Sequence, residues 1–333
     1  MRLFQIVKPS AAIFAVIGIA ACGSADSTTD DVQPRTIGHI ERLDPRLDAI
    51  VPSDAVFEIL AEGHEWTEGP VWVASLGSVL YSDIPRNAIY SWSEGTSVSI
   101  WLTPSGYTGE TERGGMGGSN GLVLDSQGRL ILAQHGDRGI ARLEAQLTEP
   151  QPAFTTLTDR FEGMRYNSPN DVAVHSSGDL YFTDPPYGLE EGVDDPTKEL
   201  DFQGVFRLAT DGSVTLLVDD LSRPNGIAFS PNEKILYVAN SDPDQRVIMA
   251  YDVQDGGNLA NDRVFFDSWG DGMALDQQGN IYVTAGLDGV LVIAPDGTQL
   301  GSLVTTERTS NCTFGDDGST LYVTSDMYLV RIR

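Results

Sequence analysis

SRPNGIAFSPNEKILYVANS, residues 222–241, holds two short apolar runs, IAF and ILYVA, around a polar SPNEK turn. Short β-branched and aromatic runs bounded by turn residues read as a β-hairpin. Asn225 and Gly226 stand before the first run and not in the turn. Asn-Gly tolerates positive φ, so a single copy would be a second turn feeding the hairpin. The chain repeats the arrangement in EGPVWVASLGSVLYSD from Glu68, NGLVLDSQGRLILAQ from Asn120, NDVAVHSSGDLYFTD from Asn170, DGMALDQQGNIYVTA from Asp271 and NCTFGDDGSTLYVTS from Asn311. The first large aliphatic of each second run falls at Leu80, Leu130, Leu180, Leu236, Ile281 and Leu321, spaced by 50, 50, 56, 45 and 40 residues.

A strand-only repeat of this period marks a β-propeller, whereas helical repeats need apolar positions at i, i+3, i+4 and i+7 over ten or more residues. The chain is therefore expected to be all-β, a six-bladed propeller with four-stranded blades around a central channel. The last blade shows only NCTF, STLYVTS and YLVRIR before the chain ends, so DAVFEILAE at 54–62 is expected to supply its fourth strand and close the ring. Two polar insertions, 103–119 and 185–203, exceed simple turns, and loops of that length are often functional.

Ahead of the repeats, MRLFQIVKPSAAIFAVIGIAAC has Arg2 and Lys8, an apolar run too short to span a bilayer, and small residues before Cys22. This reads as an export signal over 1–21. IAAC resembles a bacterial lipoprotein box, which would place a lipid on Cys22 and anchor the exported protein to a membrane facing the periplasm or the cell exterior. Residues 22–45 read as a disordered tether, SADSTTDD being acidic and Ser/Thr-rich, and 46–333 as the propeller. Cys312 is then the one remaining thiol, so no disulfide is expected within the chain. The net charge of −27 would repel phosphates, which argues against a nucleic-acid partner and for solubility; a monomer is expected.

If the first strand of each hairpin is innermost, Glu68, Asn120, Asn170, Asn225, Asp271 and Asn311 converge on one end of the channel. Six crowded oxygen-bearing side chains need a partner, and a hard cation such as Ca²⁺, or Mg²⁺ with several waters, supplies one. Four His without zinc spacing make Zn²⁺ a lesser candidate, beside Mn²⁺. Arg165 in MRYNSPND and His135 in AQHGDRG join Asn120 and Asn311 as candidate substrate contacts, each with a structural reading beside it. Trp66 and Trp72 are expected to pack between blades.

EGPVW, NSPNDVAV, YFTDPPYG, RPNGIAFSPNEKILYVAN, GDGMALDQQGNIYV and NCTFGDDGSTLYVTS together resemble the gluconolactonase branch of the family that also holds senescence marker protein and the luciferin-regenerating enzyme. The resemblance runs from about Glu68 to the C-terminus and involves every repeat in order. It implies a metal-dependent hydrolase of sugar lactones, with one divalent cation in the channel held by Glu68, Asn170, Asn225 and Asp271. It also implies that Asp271 takes a proton from the attacking water; a role as ligand alone stays open. Where the family often has Pro before that Asp, this chain has Gly270. Two rival readings remain: a cell-surface binding propeller that holds metal for structure and catalyses nothing, and a phosphotriesterase-like esterase. Fold alone does not choose among them.

Overall fold

The computed structural model describes residues 34–333 except 112, 316 and 317. Six antiparallel sheets form a ring of six blades, and the innermost strands of neighbouring blades touch all the way round. Blade 1 begins with Thr67–Val73, blade 2 with Ser119–Leu124, blade 3 with Val172–Val174, blade 4 with Pro224–Phe229, blade 5 with Met273–Leu275 and blade 6 with Thr309–Gly315. Each hairpin found in the sequence supplies the two inner strands of its blade.

The core lies between the blades. Six apolar clusters each join two adjacent blades, as in Val71, Leu80 and Ile89 of blade 1 against Leu122, Leu130 and Leu132 of blade 2. Both faces of every sheet are thus covered by a neighbour, which is why the inner strands are apolar throughout instead of alternating. At the closure, Trp72 stacks on Tyr322 of blade 6 with ring centroids 5.8 Å apart.

Phe57–Ala61 pairs antiparallel with Tyr328–Ile332 and completes blade 6, as expected from the missing fourth strand. Arg331, 6% exposed, binds Glu58 at 2.5 Å, pairs with Glu94 in the turn before the outermost strand of blade 1, and lies 5.2 Å from the Trp92 ring. One guanidinium therefore ties the first and last parts of the chain.

The expected tether ends earlier than residue 45. Thr36–Ile37 adds a fifth strand to blade 6, and His39–Arg42 adds a fifth to blade 5 by pairing with Gln299–Val304. Ile37 and Ile40 pack against the core between these blades and Leu47 is fully buried in it, so apolar burial orders a segment whose polar residues suggested otherwise. The export signal and Cys22 lie outside the described residues.

Asn225 is in neither turn. Pairing of Pro224–Phe229 with the next strand slips between Pro224 and Ile227, a β-bulge that contains Asn225 and Gly226. Equivalent slips occur at Glu68 to Val71, Ser119 to Leu122 and Thr309 to Asn311. A bulge re-aims the side chain at its position. The glycine has a separate cause: a Cβ on Gly226 would lie 2.2 Å from the backbone oxygen of Asp271, to which the Gly226 amide donates at 2.8 Å. On Gly69, whose φ is +47°, a Cβ would lie 2.0 Å from the Asn120 oxygen. The inner strands abut so closely that only glycine fits after these channel residues.

Candidate active site

Bulges at Glu68, Asn120 and Asn225 and strand starts just after Asn170 and Asp271 bring these five residues to the wall of one cavity of about 220 Å³. All five side chains are buried, from 2% exposed at Asn120 to 8% at Asp271. The polar insertions cover its mouth. The first contributes Met116, the second Tyr187, and Arg113 links them by donating to the carbonyls of Gly136 and Gly188.

Two carboxylates face one another here without an ion pair to Arg308, which borders the same cavity. Burial, then the charge of Asp271, raises Glu68 well above the usual carboxylate range. Burial, then the charge of Asp171, pushes Asp271 up to about 8. Asp171 itself is raised to about 6 by burial, and no Lys or Arg offsets any of the three. Desolvated carboxylates in this arrangement keep protons or take a cation.

The amides complete an oxygen donor set. Asn225 donates through Nδ2 to Ser241 Oγ at 3.1 Å, and Ser241 is in turn held by the Tyr187 hydroxyl at 2.6 Å. The Asn225 carbonyl oxygen is thereby left for another ligand. The Asn170 side chain has no hydrogen-bonding partner among the described residues, although it is 3% exposed. Amide oxygens left free beside unpaired carboxylates fit a hard, oxygen-seeking cation. Among the described residues no three His, Cys, Asp or Glu come together as a metal cluster.

Of the expected substrate contacts, Asn120 and His135 border the cavity and two others do not. Asn311 lies behind it, where its amide faces Glu68 and Asp171 and its Oδ1 accepts from the Cys312 amide at 2.8 Å. Arg165 is drawn aside by a two-stranded excursion, Arg160–Phe161 with Met164–Arg165, and its guanidinium donates to the Asp137 carbonyl at 2.8 Å. Trp66 lines the cavity instead of packing solely between blades.

Tyr187, Ser241 and Trp269 also line the cavity and Asp171 acts on its carboxylates, none of them among the residues expected from the repeat. Trp269 borders the cavity and donates through Nε1 to the Ser241 carbonyl at 2.6 Å. For Asp171 a signal existed: it occupies the place after the channel residue that Gly69, Gly121, Gly226 and Gly272 hold in four other blades. Its carboxylate reaches under the ring, accepting from the Val172 amide at 2.9 Å.

A family model described as the SMP-30/Gluconolactonase/LRE-like region matches residues 66–327. The chain is 37% identical to the gluconolactonase of Zymomonas mobilis subsp. mobilis over 343 residues, which cover 98% of this chain and 94% of that protein. A solved gluconolactonase from Xanthomonas campestris, described as important in glucose secondary metabolic pathways, is similar with a TM-score of 0.78 and 31% identity over 90% of this chain and 95% of that one. Regucalcin from Agrobacterium tumefaciens str. C58, described as a calcium-binding protein, shares the fold with a TM-score of 0.65 and 20% identity over 82% and 92%.

Proposed function

The chain belongs to the SMP-30/gluconolactonase/LRE-like family and is a lactone-hydrolysing enzyme; we propose that it opens sugar lactones of the gluconolactone type with one divalent cation, Ca²⁺ before Mg²⁺, Mn²⁺ or Zn²⁺, held by Glu68, Asn170, Asn225 and Asp271. The observation that carries this reading is the pair of buried carboxylates, Glu68 and Asp271, which share a cavity wall with the amides of Asn120, Asn170 and Asn225 and form no ion pair with a base. A relative described as calcium-binding supports the choice of ion.

When bound, the cation supplies Lewis-acid polarisation of the lactone carbonyl and balances the charge that develops on the tetrahedral oxygen. The rest falls to the chain. Asp271, whose basicity burial raises, takes a proton from the attacking water and returns it to the ring oxygen as the ester bond breaks. Asn225 is held in one orientation by Ser241, which Tyr187 and Trp269 fix from either side. Trp66, Met116 and Tyr187 limit bulk water at the reacting carbonyl.

A pH-indicator assay against a lactone panel, with chelator and then with added Ca²⁺, tests the reading. Turnover is expected to vanish with chelator and return with Ca²⁺; turnover indifferent to chelator would remove the cation from the mechanism. Asp271→Asn separates base from ligand if it retains Ca²⁺ but loses rate. Export and lipid anchoring at Cys22 belong to the same proposal, supported by the IAAC stretch. Cys22→Ser is expected to shift the protein out of the membrane fraction, and a wild-type protein soluble with a free Cys22 thiol would refute the anchor.

A further inference from the structure

His135 is 1% exposed, and its surroundings leave the ring no freedom. Nδ1 lies 3.2 Å from the Met116 carbonyl, which only accepts, so Nδ1 carries the proton. Burial and the charge of Arg113 pull the imidazole down to about 4, so it is neutral near pH 7 and Nε2 is an acceptor. Asn120 Nδ2 lies 3.3 Å from that Nε2. Gly188 packs flush on the ring, where any Cβ would lie 2.6 Å from the His135 Cβ. The first insertion thus sets the tautomer and the second holds the ring in place.

The consequence falls on Asn120. With its nitrogen directed at His135, its Oδ1 is buried and has no hydrogen-bonding partner. Four side-chain atoms among the described residues are in that condition, and of their residues only Asn120 borders the active-site cavity. A buried acceptor without a donor costs free energy that a ligand hydroxyl restores.

We propose that His135 is a positioning residue that fixes the amide of Asn120 with its carbonyl oxygen committed to accept a hydrogen bond from a hydroxyl of the substrate, so that the pair selects polyhydroxylated lactones over unsubstituted ones. The proposal rests on the lactonase reading and adds the substrate feature that the site recognises. Neutral buried acceptors discriminate well because an analogue without the hydroxyl leaves them unpaired.

The test compares full-length wild type, His135→Phe and His135→Gln. Phe fills the space without an acceptor; Gln offers a carbonyl oxygen to Asn120 Nδ2. The readouts are kcat and KM for D-glucono-δ-lactone and δ-valerolactone, calorimetric Kd for the matching hydrolysis-resistant lactams, and Kd for Ca²⁺. His135→Phe is expected to lower the preference for the hydroxylated ring roughly tenfold, in turnover and in lactam binding alike, with most of the kinetic loss in KM. His135→Gln is expected to recover most of it, and Ca²⁺ affinity to stay within about twofold of wild type in both. Equal losses for both rings would make His135 a structural residue and overturn the proposal. A Ca²⁺ affinity that falls with the preference would also overturn it, by making the Asn120 oxygen a cation ligand. If wild type hydrolyses neither lactone but the lactam preference still collapses in His135→Phe, the positioning role stands and the lactonase reading falls.

Discussion

Raising the pH from 6 to 8 is expected to tighten Ca²⁺ binding by roughly 100-fold, because the cation must displace a proton that the empty site holds. Glu68 and Asp271 are buried together with Asp171 nearby and no base to offset them, which raises both above the ordinary carboxylate range, Asp271 to about 8. Through most of this pH window Asp271 keeps its proton in the cation-free site, and oxygen ligands bind metal in their ionised form. One displaced proton makes affinity rise tenfold per pH unit, so two units give about 2.7 kcal/mol. Stability follows the opposite course without the cation. A carboxyl whose pKa is raised on folding stabilises the protein fully below its unfolded value near 4, and that contribution is lost as pH climbs toward 8. The chelated protein should therefore melt at progressively lower temperature from pH 5 to 8, while saturating Ca²⁺ removes most of the decline. Calorimetric titration in two buffers of different ionisation enthalpy counts the protons released. A Ca²⁺ affinity flat between pH 6 and 8, with no proton release, would mean that the pair is already ionised and the electrostatic reasoning is wrong.

Asn225→Ala should weaken Ca²⁺ binding at least tenfold and leave the melting temperature of the chelated protein almost unchanged, since the side chain sits in the channel and outside the apolar clusters; unaltered affinity in calorimetry would return Asn225 to a backbone role. Gly226→Ala places a Cβ 2.2 Å from the Asp271 oxygen and should cost about 1–3 kcal/mol by forcing two inner strands apart, read as a lower denaturation midpoint together with lost lactonase activity. Arg331→Met removes the buried partner of Glu58 at the ring closure, the exposed Glu94 adding little, and should lower the melting temperature by about 2–4 °C, from about 1–2 kcal/mol of lost charged hydrogen bonds. A melting curve that superposes on the wild type would refute the importance of that contact.

What the sequence made legible was whatever repeats. Six hairpins with the same order of polar residue, apolar run, turn and apolar run led to six blades, and the shortfall in the sixth pointed to Phe57–Ala61. Glu68, Asn170, Asn225 and Asp271 came from the same periodicity sharpened by family resemblance, and their convergence follows because a bulge or strand start turns each toward the channel. Features without a period stayed hidden. Tyr187 and Met116 reach the cavity from long insertions whose course is set by contacts such as Arg113 to Gly136 and Gly188. Asp171 was overlooked because Asn-Asp and Asn-Gly look alike as turn formers, whereas the difference that matters is a carboxylate in place of a hydrogen atom beneath the ring. Ile37 and Ile40 belong to strands of two and four residues, too short to stand out beside an acidic, Ser/Thr-rich stretch, and only the edges of two finished blades make them strands. Arg165 failed for the opposite reason: a nearby motif was taken as proximity to the site, while the local excursion carries it elsewhere.

The closure of blade 6 also sets a timetable for the newborn chain. Glu58 and its partner Arg331 are 273 positions apart, so at about 5–20 residues per second the ribosome needs roughly 15–55 s to deliver the second after the first. Throughout that interval the translated blades form an open arc, with Glu68 near one end and the segment that will carry Asn311 not yet made. Phe57–Ala61 waits as an unpaired edge beside the apolar surface of blade 1. The five residues Tyr328–Ile332, made after all six inner hairpins, convert the arc into a ring and pair with Phe57–Ala61. A messenger cut before that strand would encode every residue lining the cavity and still leave the wall unsealed, so catalysis in this architecture reports that the strand closing blade 6 has been made.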